Sequence, residues 1–183
     1  MFYPGKILRY SAILALTLLL ACGGSENQRS VAGGSGEAQA AQTPSGDGLQ
    51  APAFTLDRVD GGQISLAELK GKVVIIDFWA TWCPPCIKGI PDFVDLHKTY
   101  ADKGFEMVGI SVDRGGPTVV RQFMEKNEVN YPIVMASMDV INAYEVFSGI
   151  PTTFIIDKNG NIVEKIVGYQ PKQYFENHIK RLL

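Results

Sequence analysis

The sequence predicts a three-layer α/β/α domain with a central mixed sheet, and three observations carry that prediction. Val73-Val74-Ile75-Ile76-Asp77-Phe78-Trp79-Ala80 is apolar on both faces apart from Asp77, which marks a central strand covered from both sides. Strand-like and helix-like stretches alternate from there onward. The folded part then closes on a hairpin turned at Asn159-Gly160 and a final helix. With 183 residues the chain has room for one domain and a tail.

Taken in order, the domain is expected to span 51–183. Ala53-Phe54-Thr55-Leu56 and Gln63-Ile64-Ser65-Leu66 flank the turn signal Asp60-Gly61-Gly62 and read as an N-terminal β-hairpin. Ser65 with Glu68 has capping-box spacing and predicts a short turn from Leu66 to Lys70, ended by Gly71. The helix after Cys83 carries Ile87, Ile90, Phe93, Val94 and Leu96 and runs to about Asp102, with Pro91 inside it as a kink. Phe105 to Val112 is a second buried strand. Thr118 to Asn127 follows Pro117 as a helix, then Ile133-Val134-Met135 as a short strand and Asp139 to Phe147 as a helix. Thr152 to Ile156 and Ile162 to Val167 are the last strands. Pro171 opens the last helix, whose apolar side is Tyr174, Phe175, Ile179 and Leu182.

Upstream of this domain the composition changes. Residues 1–21 read as an export signal, with Lys6 and Arg9 as the positive n-region and an uncharged apolar run from Ser11 to Ala21. That run is shorter than the about 20 apolar residues a stable span needs. Residues 22–50 begin with the solitary Cys22 and are otherwise mostly Gly, Ser, Ala, Gln and Glu, with almost no large apolar residue. Such a stretch cannot bury enough apolar surface to offset its ordering entropy and is expected to be a disordered linker. As a flexible coil, about 28 residues reach roughly 30 Å. Leu19-Leu20-Ala21-Cys22 resembles the lipobox of bacterial lipoproteins, which implies cleavage before Cys22 and lipid attachment to it. The implied location is the bacterial cell envelope, lipid-anchored and facing the periplasm or the exterior. Gly23-Gly24-Ser25 lacks the Asp that in many lipoproteins directs inner-membrane retention, and the choice of membrane stays open.

A formal net charge of −2 with no basic cluster gives no footprint for nucleic acid. Three cysteines are too few for a disulfide scaffold; Cys22 stands apart, leaving Cys83 and Cys86 as a pair. In Trp82-Cys83-Pro84-Pro85-Cys86 the two thiols fall on one face of a helical turn, within range of a reversible disulfide. A structural zinc site wants four ligands, and no second Cys pair exists. His97 and His178 lie in separate helices without ligand spacing, so no metal is expected.

Cys83 at a helix N-cap sits at the positive end of the macrodipole, which favours the attacking thiolate. Cys86, one turn further and less exposed, would resolve the mixed disulfide. Pro84 and Pro85 have no N–H, so only the Cys86 end of the turn can stabilise that thiolate. Poor stabilisation of the reduced form predicts a reducing pair. Burial should raise the pKa of Asp77 and equip it to exchange a proton with Cys86, the alternative being a strand-end pair with Lys72 or another cation. Asp113 is either an acidic modulator of the active-site face or a solvated loop carboxylate.

At Asp77-Phe78-Trp79-Ala80-Thr81-Trp82-Cys83-Pro84-Pro85-Cys86 the chain resembles the thioredoxin superfamily, and more closely its extracytoplasmic TlpA/ResA-like branch. Pro91, Gly149-Ile150-Pro151-Thr152 and Gly168 fall where that family has its helix-kinking proline, its cis-proline loop and a glycine after the last strand. The N-terminal hairpin and the helix and strand inserted between Asp113 and Gly149 are shared with that branch and with peroxiredoxins. The resemblance implies a thioredoxin fold and a thiol–disulfide oxidoreductase that works through a Cys83–Cys86 disulfide without other cofactor. It further implies a cis Ile150–Pro151 bond and a substrate rim of Trp82, Pro84, Pro85, Ile150, Pro151 and Gly168, with Trp79 packing inside. Implied partners are disulfide-containing proteins and an extracytoplasmic or membrane electron donor. Relatives of this kind often keep the haem-attachment cysteines of apocytochrome c reduced. Two competing functions are a thiol peroxidase and a Cu(I) metallochaperone or docking protein. The first lacks a Pro-x-x-x-Thr-x-x-Cys loop, since Thr81 is only two residues before Cys83; the second lacks Met or His beside the pair.

Overall fold

The computed structural model describes residues 48–183. Eight strands and four α-helices follow one another as β1 (Leu49–Gln50), β2 (Thr55–Asp57), β3 (Gln63–Ser65), β4 (Val73–Trp79), α1 (Pro84–Tyr100), β5 (Phe105–Ser111), α2 (Pro117–Lys126), β6 (Ile133–Met135), α3 (Met138–Ala143), β7 (Thr152–Ile156), β8 (Asn161–Val167) and α4 (Lys172–Leu182). Short 3-10 turns occupy Leu66–Leu69 and Ala101–Lys103. The main sheet runs β1-β8-β7-β4-β5-β6. β4, β5 and β6 are parallel, β7 runs against β4 and β8 runs against β7, so the sheet is mixed as expected.

β4 lies at the middle of the sheet, and all seven of its residues are buried. Its alternation assigns Val73, Ile75 and Trp79 to one core, with Ile90, Phe93 and Leu96 of α1 and Phe175 and Ile179 of α4. Val74, Ile76 and Phe78 enter a second core with Phe54, Leu56 and Ile64 of the hairpin and Val140 and Tyr144 at α3. The second layer is thus a helix and a hairpin together. Each fully buried Ile or Phe contributes roughly 1.5–3 kcal/mol of transfer free energy, so burial alone holds β4 firmly in place.

The β2–β3 hairpin forms a sheet of its own and reaches β6 through Val59 N–H to the Ile133 carbonyl, 2.8 Å. Ser65 caps the following turn: its hydroxyl accepts from Glu68 N–H, and the Glu68 carboxylate accepts from Ser65 N–H at 3.1 Å.

Two boundaries differ from the sequence reading. Leu49–Gln50, assigned to the disordered linker, forms an edge strand against Ile162 and Asn161, and Gln50 also bonds the Asn161 side chain. Both residues are exposed, so periodicity carries no trace of a pairing supplied by β8. The helix expected from Asp139 to Phe147 stops at Ala143. Glu145 adopts φ 50, and the N–H groups of Val146 and Glu145 return to the Ile141 and Asn142 carbonyls, a Schellman ending built without glycine. α1 continues through Pro91 to Tyr100.

β1 meets the start of β8, beside Ile156 at the end of β7 and Val74 at the start of β4. It therefore lies at the pole of the sheet opposite the loop that leaves Trp79.

Candidate active site

β4 ends at Trp79, and Ala80-Thr81-Trp82 carries the chain to Cys83, the N-cap of α1. This loop is clamped from below by Asp113. Its carboxylate accepts Thr81 N–H at 2.9 Å, the Thr81 hydroxyl at 2.6 Å and the Ser111 hydroxyl at 2.9 Å. Asp113 is buried, so the solvated loop carboxylate is excluded; it holds the loop that presents Cys83.

Cys83 and Cys86 form a disulfide, S–S 2.06 Å. Cys83 Sγ accepts from Cys86 N–H at 3.3 Å, an N-cap bond made from the far end of the first turn because Pro84 and Pro85 cannot donate. The same sulfur lies 3.8 Å from the Ile150 carbonyl oxygen. Both cysteines are buried, Cys83 at 4% and Cys86 at 2% exposure, a smaller difference than the one expected between an attacking and a resolving sulfur. The exposed groups are their neighbours Trp82, Pro84 and Pro85, which form the lip.

The Ile150–Pro151 bond is cis. Pro151 is buried and Ile150 half-buried. Gly168 N–H donates to the Pro151 carbonyl at 2.8 Å, and the Thr152 hydroxyl donates to the Gly149 carbonyl at 2.6 Å. Gly168 has φ +93, a conformation that favours glycine, at the point where the chain leaves β8. Gly168 therefore buttresses the rim.

Asp77 shares the α1-facing side of β4 with Ile75 and Trp79. It is 3% exposed, and burial pushes its carboxyl up to about 7, against the opposing effect of a 2.7 Å bond from the Thr153 hydroxyl. The proposed pair with Lys72 does not form, because Lys72 is held by Glu106 at 2.9 Å. Glu106 also meets His97 at 3.0 Å, and His178 meets Glu164 at 3.2 Å, so both histidines serve packing and polar contacts. Asp77, Cys86, Gly89, Pro151, Gly168 and Tyr169 line one cavity of about 10 Å³, room for about one water. Asp77 and Cys86 thus line the same small cavity.

Thr153, Gly89 and Tyr169 are site residues that sequence reasoning missed. Thr153 was detectable through register: it pairs directly with Asp77 across β4 and β7. Trp79 is buried against Phe123, ring centroids 5.1 Å apart, and its indole N–H has no partner among the described residues. Cys22, with the export signal and most of the linker, lies outside the described residues.

The model of the AhpC/TSA family matches residues 48–165. Thiol-disulfide oxidoreductase ResA of Bacillus cereus is 35% identical over 136 residues, 74% of this chain and 78% of the relative. ResA of Bacillus subtilis is 35% identical over 134 residues, 73% and 74% of the two chains. Among solved structures, a thioredoxin-family thiol:disulfide interchange protein of Chlorobium tepidum superposes with a TM-score of 0.70 at 40% identity, covering 75% of this chain and 97% of that one. A putative thiol:disulfide interchange protein DsbE of the same organism gives 0.68 at 30% identity, with 74% and 96% covered. An N-capping cysteine joined to its partner one turn on, under a cis-proline loop, has the parts that such exchange requires. The chain belongs to the AhpC/TSA family within the thioredoxin superfamily, and is a thiol–disulfide oxidoreductase of the ResA/DsbE type.

Proposed function

We propose that this oxidoreductase works as a protein-disulfide reductase outside the cytoplasm, tethered through lipid on Cys22. The observation that carries the direction of transfer is the lone N–H bond to Cys83 Sγ, from Cys86 at 3.3 Å. A thiolate with one backbone donor gains little, so the reduced form is poorly stabilised and tends to give up its electrons. Cys83 thiolate attacks a client disulfide, forming a mixed disulfide and releasing one client thiolate, which takes a proton from solvent. Asp77 carboxylate accepts the Cys86 proton, and the Cys86 thiolate attacks Cys83 sulfur and expels the second client thiolate. The second client thiolate takes the proton from the Asp77 carboxyl, so the client gains two electrons and two protons, and the protein is left as the Cys83–Cys86 disulfide. An extracytoplasmic dithiol donor then restores it, with no metal or organic cofactor in the cycle. Supporting the address are the apolar run ending at Ala21 and the lone Cys22 after it.

Redox titration against glutathione and dithiothreitol tests the direction. A potential below about −200 mV is expected, and one near the about −120 mV of a strong oxidant sinks the reductase reading. Clients are identified by trapping: Cys86→Ser in the native host should accumulate mixed disulfides on Cys83, with apocytochrome c the client class that the resemblance implies. The AhpC/TSA match makes thiol peroxidase the second reading. Peroxide consumption by the reduced protein that disappears in Cys83→Ser would favour it over the reductase.

A further inference from the structure

Beside Cys83, two adjoining surface clefts of about 550 and 370 Å³ share Trp82, Asp113 and Arg114 in their walls. Val119 completes one and Met138 the other. Trp82 is 64%, Met138 67% and Val119 42% exposed, an unusual gathering of large apolar side chains around a redox centre. Between them stands a single cation. Both oxygens of Asp113 are already engaged by Thr81 and Ser111. Arg114 itself is exposed and has no hydrogen-bond or ion-pair partner among the described residues. The clamp that fixes the Cys83 loop therefore also fixes the base of Arg114, and leaves its charge for something else.

We propose that these clefts dock the client polypeptide flanking the attacked disulfide, and that Arg114 selects segments carrying a carboxylate beside an apolar residue close to the reactive cysteine. The proposal rests on the reading of Cys83–Cys86 as the site of exchange with protein clients. Its occupant follows from continuity and charge: Trp82 adjoins Cys83 in sequence, the cleft walls are apolar, and the only charge not already bonded there is positive. Thr81 N–H on Asp113 at 2.9 Å keeps Arg114 one residue from the loop that ends at Cys83. An extended client strand advances about 3.3 Å per residue, so a carboxylate within about three residues of the client cysteine reaches the guanidinium. An aromatic or aliphatic neighbour then lies over Trp82 or Met138.

The test uses disulfide-linked peptides identical except for Glu, Gln or Lys two residues from the cysteine, and reads kcat/KM for the wild type and Arg114→Glu. In the wild type the Glu peptide should react about threefold to tenfold faster than the Lys peptide, a ratio of the size exposed charge pairs support and one that shrinks as salt rises. Arg114→Glu should invert the order, with circular dichroism and thermal unfolding showing that the variant is folded. Equal rates for all three peptides, or the same ratio in both proteins, overturn the proposal while leaving the reductase intact. If the reduced protein fails on every peptide, the reductase reading falls; the oxidised protein is then run on the same peptides as dithiols, where the charge ratio is read again. Concentration-dependent dimerisation abolished by Arg114→Glu, with flat peptide rates, would assign the surface to a second copy of this chain and overturn the client proposal.

Discussion

Replacing Asp77 with Asn separates the cost of burying a titratable carboxyl from the rest of the site. The folded-state pKa is pushed to about 7 from 3.8, with burial as the cause. That gap of roughly 3 units, at 1.36 kcal/mol each, is about 4 kcal/mol. The sign follows from which state holds the proton. Below about pH 4 both folded and unfolded chains keep it, and there is no cost. Between about pH 4 and 7 the unfolded chain releases it and the folded chain does not, so stability falls as pH rises, and above pH 7 the whole cost is present. Asn does not titrate. It keeps an acceptor for the Thr153 hydroxyl but brings N–H donors into a buried site, a fixed penalty of about 1–3 kcal/mol if unmet. The variant should therefore be less stable than the wild type at pH 4 and more stable at pH 8, with the curves crossing between about pH 4.5 and 6. Urea unfolding of the oxidised protein, followed by tryptophan fluorescence at half-unit intervals, measures this. A difference that stays flat within about 1 kcal/mol across that range would refute the reasoning, because Asp77 would then be ionised in the fold at low pH. The same variant should slow resolution by Cys86 while leaving the first attack by Cys83 nearly intact, which stopped-flow kinetics resolves.

Other outcomes follow from single contacts. Gly89 lies inside α1, where a Cβ would come no closer than 3.7 Å to Phe93; Gly89→Ala should raise stability by about 0.5–1 kcal/mol through helix propensity, yet slow exchange at Cys86 because the methyl enters the cavity shared with Asp77, and an unchanged rate would show the cavity to be idle. At Gly109 a Cβ would meet Ile133 Cδ1 at 2.4 Å and Trp79 Nε1 at 3.0 Å, so Gly109→Ala should cost about 1–3 kcal/mol in urea unfolding. Thr81→Val removes the 2.6 Å bond to Asp113 and should lower stability by about 1–3 kcal/mol in the oxidised protein; no loss would mean that Asp113 does not clamp the loop.

What could be read from the residues depended on whether the cause was local. Val73–Trp79 and Thr152–Ile156 were legible because burial on both faces leaves an unbroken apolar run, and Ser65 with Glu68 because a capping box acts within one turn. Cys83, Cys86 and the Ile150–Pro151 loop were legible from their spacing and their likeness to a family. Other features were set by partners distant in sequence. Leu49–Gln50 is a strand only because β8 offers it an edge, and Asp113 is buried only because Thr81 and Ser111 converge on it. The end of α3 was misplaced because Glu145 takes a left-handed conformation usually signalled by glycine. For Asp77, burial and the raised pKa were foreseeable, whereas its partner Thr153 required the register of β7.

The two-residue pairing of β1 with β8 also has a mechanical side. Any pull transmitted from upstream of Gly48 enters the domain at this short ladder and at the bond from Ala51 N–H to the Gly160 carbonyl, 2.9 Å. Those few bonds would yield before tension reached β4, so a pull on Gly48 is absorbed far from the sulfurs. The described chain enters the domain at the pole opposite Cys83 and Cys86, so a load applied there meets the sulfurs only after the length of the central sheet.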